Sequence, residues 1–205
     1  MLGASCYCGT VKFHITRPTP ESTLPKSQYP DLIIPYLRRS PEIVNPNDRK
    51  WWIRGNRYLA GICACNSCRR CSGFDMQTWA FIPRANIFMH HPDKPRPLDF
   101  SNLPEGMLRS YNSSPGVTRE FCPGCGATVF WHNTDRPELI DVSVGLFRAP
   151  DGARAESWLD WWKERVSFAE DRRGPHGSLW DPVTCLEKGL RGSIKPFYNR
   201  EKAKL

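Results

Sequence analysis

Two short stretches bear most directly on the fold of this chain: Cys122-Pro-Gly-Cys125-Gly and, near the N-terminus, Cys6-Tyr-Cys8-Gly. Each offers two thiols on a short turn, and the glycine that follows permits a tight backbone. Zinc prefers four ligands in a tetrahedron, with thiolate sulfurs at about 2.3 Å, so neither stretch closes a site alone. Together they supply four thiolates. We predict one structural zinc ion on these four cysteines, and it would join an N-terminal strand to a strand from the second half of the chain.

The middle of the chain holds a different cysteine run, Cys63-Ala-Cys65-Asn-Ser-Cys68. Three thiolates in one loop leave a tetrahedral zinc ion with an open position, which is the catalytic pattern. Cys71 stands three residues further on and could close the shell, which would make the site structural. If a helix begins near Cys68, however, Cys71 need not face the ion. The sequence therefore predicts two zinc ions per chain, one closed and one open, with the role of Cys71 left undecided.

Length and composition limit the fold class. The chain has 205 residues, of which 40% are hydrophobic and 24% charged, which suits one folded domain and excludes a disordered chain. Its 15 glycines and 19 prolines argue against a helical bundle. Nine cysteines cannot form a complete set of disulfides, so their clustering favours metal binding in a reducing compartment.

The charge pattern bears on partners and location. Lysine and arginine number 29 against 21 acidic residues, a net charge of +8, but the only dense basic cluster lies at residues 195–204. This distribution favours a solvated basic surface over a nucleic-acid site. No stretch approaches the roughly 20 apolar residues that cross a bilayer. We expect a cytoplasmic protein without a signal peptide, membrane contact or nucleic-acid partner, and the sequence leaves homo-oligomerisation open.

Alternating apolar and polar residues predict a mainly β fold. Short strands are expected at 11–15, 58–65, 77–83, 108–112, 117–121, 128–132 and 139–144. Residues 17–57 are rich in proline and show no helical period, which indicates a long insertion or lid. We predict a single zinc-binding domain over residues 1–170 and a C-terminal extension over residues 171–205 that is mostly loop. Residues 160–170 are expected to be either a short helix or extended.

The three cysteine motifs, in this order and with these flanking residues, resemble those of the glutathione-dependent formaldehyde-activating enzyme family, which includes centromere protein V. The resemblance covers about residues 3–150, and the long proline-rich insertion resembles that of fungal members. It implies a zinc-bound antiparallel β-tent, like that of the Rab-binding chaperones. It also implies the structural and catalytic roles of the two cysteine groups. The insertion is longer than the connector of bacterial members, and many relatives have a non-ligating residue at Cys71.

The resemblance also implies an activity. The family joins glutathione to formaldehyde as S-(hydroxymethyl)glutathione, so we expect a zinc-dependent carbon–sulfur lyase whose substrate is glutathione or another thiol. Glutathione is anionic, and Arg69 and Arg70 are the basic residues next to Cys68, so we expect them to contact its carboxylates. The sequence does not single out an acid–base residue.

Two other interpretations stay open at this point. The same scaffold could act on another small molecule in fungal secondary metabolism, in which case aromatic residues of the insertion would wall the pocket. Alternatively, the chain could be a non-enzymatic zinc module that binds protein or nucleic acid. That interpretation predicts that Cys71 completes the second site and that the surface carries a continuous basic face.

Overall fold

The computed structural model describes residues 1–34, 44–91, 93–172 and 182–192. The basic cluster at 195–204 and residues 35–43 of the expected insertion lie outside this part of the chain. Within it, no helix combines the length and the apolar composition needed to cross a membrane.

The protein is mainly β, as the sequence predicts, and its strands form two sheets. The smaller sheet has the order β1-β2-β6-β7, formed by Leu2–Ser5, Lys12–Ile15, Ile87–Met89 and Arg96–Pro97. The larger sheet has the order β12-β4-β5-β11-β10-β9-β8, formed by Leu159–Trp161, Arg57–Cys63, Gln77–Pro83, Leu139–Ser143, Thr128–Asn133, Val117–Phe121 and Arg109–Ser114. A short strand β3, Ile53–Arg54, also pairs with β4. Neighbouring strands run antiparallel except β12 and β4, which are parallel.

Helices are short and peripheral. Helix α1 spans Asn66–Ser72, and helix α2 spans Pro182–Gly192. Single 3-10 turns occur at Pro20–Thr23, Arg84–Asn86, Val144–Leu146 and Ala169–Arg172. The expectation that the chain after residue 171 is mostly loop is wrong for residues 182–192. There Val183 and Leu190 lie on one face of α2 and join a small apolar cluster with Val166, which is the packing that stabilises the helix.

All seven strands expected from the alternation are present; two have the expected bounds, and the ends of the other five shift by at most two residues. The region expected to be either helical or extended begins with strand β12 and ends in a 3-10 turn. The strands that the sequence did not predict are two to four residues long, too short to show a clear alternating pattern; they are β1, β3, β6, β7 and β12.

The main core lies between the two sheets. Phe13, Ile15 and Met89 face it from the smaller sheet, and Ile82 and Phe130 face it from the larger one, all fully buried. Burial of these apolar side chains is the main stabilising contribution to the fold.

The outer face of the larger sheet is also covered. Leu32, Trp51 and Trp52, which belong to the expected insertion, pack there in a second apolar cluster against Phe81 and Leu139. The side chain of Trp52 donates a hydrogen bond to the backbone oxygen of Ser22 at 2.9 Å. Every residue of the central strand β11 is buried, because both faces of the sheet are covered. A cavity remains in this outer layer.

Candidate functional site

The two cysteine turns meet in one group of four sulfurs. Cys6, Cys8, Cys122 and Cys125 each place a sulfur within 4.8 Å of the others. Cys8 Sγ lies 3.5 Å from both Cys6 Sγ and Cys122 Sγ, and Cys6 Sγ lies 3.6 Å from Cys122 Sγ. A tetrahedron with metal–sulfur bonds of about 2.3 Å has edges of about 3.8 Å. The spacing and the donor set therefore fit a tetrahedral thiolate-bound metal such as zinc.

The backbone of both turns fits this role. Gly9 and Gly126 have φ angles of +79° and +71°, a left-handed conformation in which glycine avoids the strain of a side chain. A Cβ on Gly124 would lie 3.3 Å from Cys8 Sγ, so this glycine allows the backbone to approach the sulfurs closely. Hydrogen bonding to Thr10 lowers the pKa of the Cys8 thiol to about 6, which favours the thiolate that a metal needs.

Cys63, Cys65 and Cys68 form a second group, also with all sulfurs within 4.8 Å of one another. Cys63 ends strand β4, Cys65 caps helix α1, and Cys68 lies in the first turn of that helix. The Cys65 sulfur accepts a hydrogen bond from the Cys68 backbone N–H at 3.2 Å. The helix thus brings Cys68 back beside the two cysteines that precede it.

Cys71 and the two arginines lie elsewhere. Cys71 is exposed on α1 and is not a member of either sulfur group in the described part of the chain. Arg70 is exposed, and the Arg69 side chain donates a hydrogen bond to Asn66 Oδ1 at 3.1 Å. Both arginines line a surface depression with Phe74, away from the cavity at the three cysteines.

A cavity of about 400 Å³ opens onto the three-cysteine group, a volume typical of small-molecule sites. Its floor is the outer face of the larger sheet. Arg119, Trp131, Asp141 and Phe81 are successive cross-strand partners on β9, β10, β11 and β5, and all four line the cavity. Because side chains alternate between sheet faces, this row turns toward the cavity while its sequence neighbours turn toward the main core.

Arg119 is the charged side chain that touches the cysteine group. It is 4% exposed, and its Nη2 lies 3.1 Å from Ser67 Oγ and 3.5 Å from Cys68 Sγ. Its Nε lies 3.3 Å from Ser113 Oγ. Its Nη1 is buried and has no hydrogen-bond partner among the described residues.

A second arginine in the cavity is paired with a carboxylate. Arg136 Nη2 lies 2.7 Å from Asp141 Oδ1, and the Arg136 guanidinium stacks over Trp131 at 4.8 Å from the ring centre. Burial raises the pKa of Asp141 to about 6, although the charge of Arg136 acts against the rise. A buried carboxyl that titrates near neutrality and lines a cavity is a candidate for proton transfer.

The pKa values of the three thiols shift in different directions. Hydrogen bonds from Cys63 and Cys65, together with the nearby charge of Arg119, lower the pKa of Cys68 to about 2. The pKa of Cys63 is raised, because its thiol donates to the neighbouring sulfurs in a buried setting. The group thus favours a thiolate at Cys68, and a cation bound by all three sulfurs would favour the thiolate form of the other two as well.

The remaining walls come from the expected insertion and from the segment before α2. Leu32 packs so tightly on Gly61 of β4 that a Cβ on Gly61 would overlap the Leu32 side chain. On the other side stand Ser167 and Phe168. Ser167 forms a parallel bridge with Cys63, and its buried Oγ has no hydrogen-bond partner in the described ranges. Phe168 has a φ of +56°, which is a strained conformation for a bulky residue.

Sequence reasoning did not find Arg119, Arg136, Asp141 or Ser167. Arg119 and Asp141 do carry one signal, since each is a charged residue within a predicted strand that also contributes to the core. The pairing that sets them side by side with Trp131 depends on strand order, which the sequence pattern does not reveal.

The chain is similar to known proteins. The family model described as "Glutathione-dependent formaldehyde-activating enzyme" matches residues 52–164, a span that includes the three-cysteine group, the second cysteine turn and the cavity row. A crystal structure of a Rhodobacter sphaeroides protein, a structural genomics target, is 15% identical; the alignment covers 78% of this chain and 98% of that chain, with a TM-score of 0.41. No curated protein matches the sequence significantly.

Proposed function

The chain belongs to the glutathione-dependent formaldehyde-activating enzyme family, and we propose that it forms or splits the adduct of a thiol with formaldehyde at the three-cysteine group. In the forward direction the thiol sulfur bonds to the carbonyl carbon, and the carbonyl π pair moves onto oxygen. The proton of the thiol ends on that oxygen, so R–SH and H₂CO give R–S–CH₂–OH. The reverse reaction is the carbon–sulfur lyase direction. Neither direction needs an oxidant or a reductant.

One observation carries the proposal: three cysteine sulfurs lie within 4.8 Å of one another at a cavity of about 400 Å³. Three protein ligands with space beside them are the arrangement of a catalytic rather than a structural metal site. Cys63, Cys65 and Cys68 would hold a zinc ion there. Such an ion, when bound, lowers the pKa of a thiol that joins it or polarises a carbonyl oxygen.

The four-cysteine group has a different role in this proposal. Its sulfurs are already four, so a bound ion would have no open position, and we assign it a structural zinc. It joins the turn after strand β1 to the turn between β9 and β10. We therefore propose two zinc ions per chain, with chemistry only at the three-cysteine group.

The protein's own side chains would prepare the reactants. Trp79, Phe81 and Trp131 give the cavity apolar walls that exclude water and so strengthen the electrostatic interactions inside it. Asp141 is our candidate for carrying the proton between the thiol and the carbonyl oxygen. The groups facing Asp141 are Arg136, which binds it, and Arg119 and Cys68, whose charges also act on it.

Two features that the other interpretations predict, aromatic cavity walls from the insertion and Cys71 as a fourth ligand, are not seen in the described ranges. The part of the insertion that lines the cavity is Pro30, Asp31 and Leu32, while the aromatic walls come from the sheet and from Phe168. Trp51 and Trp52 pack in the apolar cluster behind the cavity. Cys71, which a closed binding module would use as a fourth ligand, lies outside the sulfur group.

The test is the rate at which ¹³C-formaldehyde exchanges with its glutathione adduct, measured by NMR exchange spectroscopy on the zinc-loaded protein. This reaction also proceeds without a catalyst, so catalysis appears as faster exchange. We expect the wild-type protein to accelerate exchange and Cys65→Ser to lose about tenfold or more of the acceleration, because it removes a ligand of the reactive centre.

Two cysteine variants serve as matched controls. Cys71→Ser and Cys185→Ser each replace an exposed thiol outside both sulfur groups, so we expect them to keep the wild-type acceleration. If the wild-type protein leaves the exchange rate unchanged, or if Cys65→Ser accelerates it as well as the wild type, the proposed function is wrong.

A further inference from the structure

Two hydrogen-bond donors on side chains that line the cavity have no partner among the described residues. They are Arg119 Nη1 and Ser167 Oγ, and both atoms are buried. The two residues are 4% exposed each. A buried donor left without a partner costs about 1–3 kcal/mol, and more if it is charged, so native proteins rarely keep one without a use.

The positive charge of Arg119 indicates that the partner of its Nη1 is an anion. The side-chain contacts of its guanidinium are two serine hydroxyls and the Cys68 sulfur. The buried carboxylate in the same cross-strand row, Asp141, is bound by Arg136 instead. Cys68 can balance the charge from the Nη2 side, but it leaves Nη1 free. A buried guanidinium with a free N–H group in a cavity favours an anionic oxygen.

The positions of both donors relate them to the reacting centre. Arg119 contacts Cys68, and Ser167 is the bridge partner of Cys63. Each donor therefore lies beside a different cysteine of the three-cysteine group. Two backbone hydrogen bonds fix Ser167 to the end of β4 and the residue after it: the Ser167 N–H donates to Ile62 O at 2.9 Å, and the Ala64 N–H donates to Ser167 O at 2.8 Å. The next residue, Phe168, has a φ of +56°, a strained conformation that persists because the surrounding structure fixes it.

We propose that Arg119 Nη1 and Ser167 Oγ bind the anionic oxygen of the molecule that occupies the cavity, so that the site selects thiols carrying a negatively charged oxygen close to sulfur. The inference rests on the proposed function for the presence of a thiol there. The oxygen is a carboxylate of the thiol itself; the oxyanion that forms when sulfur adds to a carbonyl is the alternative that the test distinguishes.

The test compares two small thiols that differ in the group two bonds from sulfur. Mercaptoacetate carries a carboxylate there and 2-mercaptoethanol a neutral alcohol carbon. Their dissociation constants with the zinc-loaded protein are measured by calorimetric titration, without any aldehyde. We expect wild type to prefer mercaptoacetate by about tenfold or more, since a charge-assisted hydrogen bond in a buried site has that strength. Arg119→Gln should reduce the preference to within about twofold.

Ser167→Ala guards against a variant that simply fails to fold. Removing an unpartnered buried hydroxyl leaves no partner behind, so this variant should melt at the wild-type temperature or above it. Its preference for mercaptoacetate should nevertheless fall several-fold. Arg109→Gln, which removes an exposed arginine of strand β8, is the charge-matched control and should bind like wild type.

The outcomes separate this inference from the proposed function. Three binding results would overturn the inference. They are equal binding of the two thiols by wild type, binding of neither thiol, and an unchanged preference in both Arg119→Gln and Ser167→Ala. A preference that depends on Arg119 and Ser167 would support it, even if the protein fails to accelerate formaldehyde exchange. In the exchange assay, a loss in both variants that is as large for mercaptoethanol as for mercaptoacetate would assign the donors to the oxyanion and so overturn the inference. A loss confined to mercaptoacetate would assign them to the carboxylate.

Discussion

Asp141 shows how a single residue can link the cavity to the stability of the fold. Its carboxyl is buried at the centre of the larger sheet, where the charged form is disfavoured, and the Arg136 ion pair offsets only part of that cost. The folded protein therefore binds the Asp141 proton more tightly than the unfolded chain does. By linkage, this residue's stabilising effect is complete below about pH 4 and is lost as pH rises to about 6.

This gives a prediction for Asp141→Asn. The amide keeps an oxygen for Arg136 but cannot ionise, so the variant should lack the decline in unfolding free energy that Asp141 causes between about pH 4 and pH 6. The difference between the two proteins across that interval should be on the order of 2–3 kcal/mol. Urea denaturation at a series of pH values measures it.

The control for this prediction is Asp135→Asn, which changes an exposed aspartate in the turn between β10 and β11. It should follow the wild-type pH dependence. Loss of metal at low pH affects all three proteins and cancels in the comparison. If Asp141→Asn declines as steeply as wild type between pH 4 and 6, the raised pKa of Asp141 is not a property of the folded protein.

At the scale of elements, the insertion packs closely against the sheet where Leu32 meets strand β4. Leu32 lies against Gly61 of strand β4, in a space that any larger residue at position 61 would have to share. Both residues line the cavity, so this contact holds the insertion in place as one of its walls. The Leu32 side chain is 4% exposed and fills the space left by the missing side chain of Gly61.

We therefore predict that Gly61→Ala and Leu32→Ala are coupled. Gly61→Ala alone should lower the free energy of unfolding by about 1–3 kcal/mol through overpacking, and Leu32→Ala alone by about 2–5 kcal/mol through a cavity. In the double variant the new methyl group enters the space that Leu32 vacates, so the loss should be smaller than the sum of the two. Chemical denaturation of the four proteins gives the coupling energy. Strict additivity would show that the two side chains are not in contact.

The arrangement of the elements also explains which features the sequence could predict. The strands from 77–83 to 139–144 are found by alternation, and the cysteine groups by their spacing, because both signals are local. The strand order that sets Arg119 beside Trp131 and Asp141 is not local. Arg69 and Arg70 were expected to contact the substrate because they follow Cys68 in sequence, whereas Arg119 reaches Cys68 from a strand about fifty residues away. Helix α2 went unpredicted because its stability comes from packing against Val166.

At the scale of the whole molecule, the two cysteine groups lie in different places, and we propose different roles for them. The four-cysteine group joins the N-terminal turn to the β9–β10 turn and so links the smaller sheet to the larger one. The three-cysteine group lies on the opposite, outer side of the larger sheet, at the cavity. A metal ion in the first would stabilise the fold, and one in the second would serve the reaction.

The measurement that tests this account most directly is the zinc content per chain, by elemental analysis, of wild type, Cys65→Ser and Cys71→Ser. The account predicts two zinc ions in wild type, one in Cys65→Ser and two in Cys71→Ser, because Cys71 lies outside both groups. If Cys71→Ser also loses an ion, four thiolates close the second site, and the open reactive centre on which the proposed function depends does not exist.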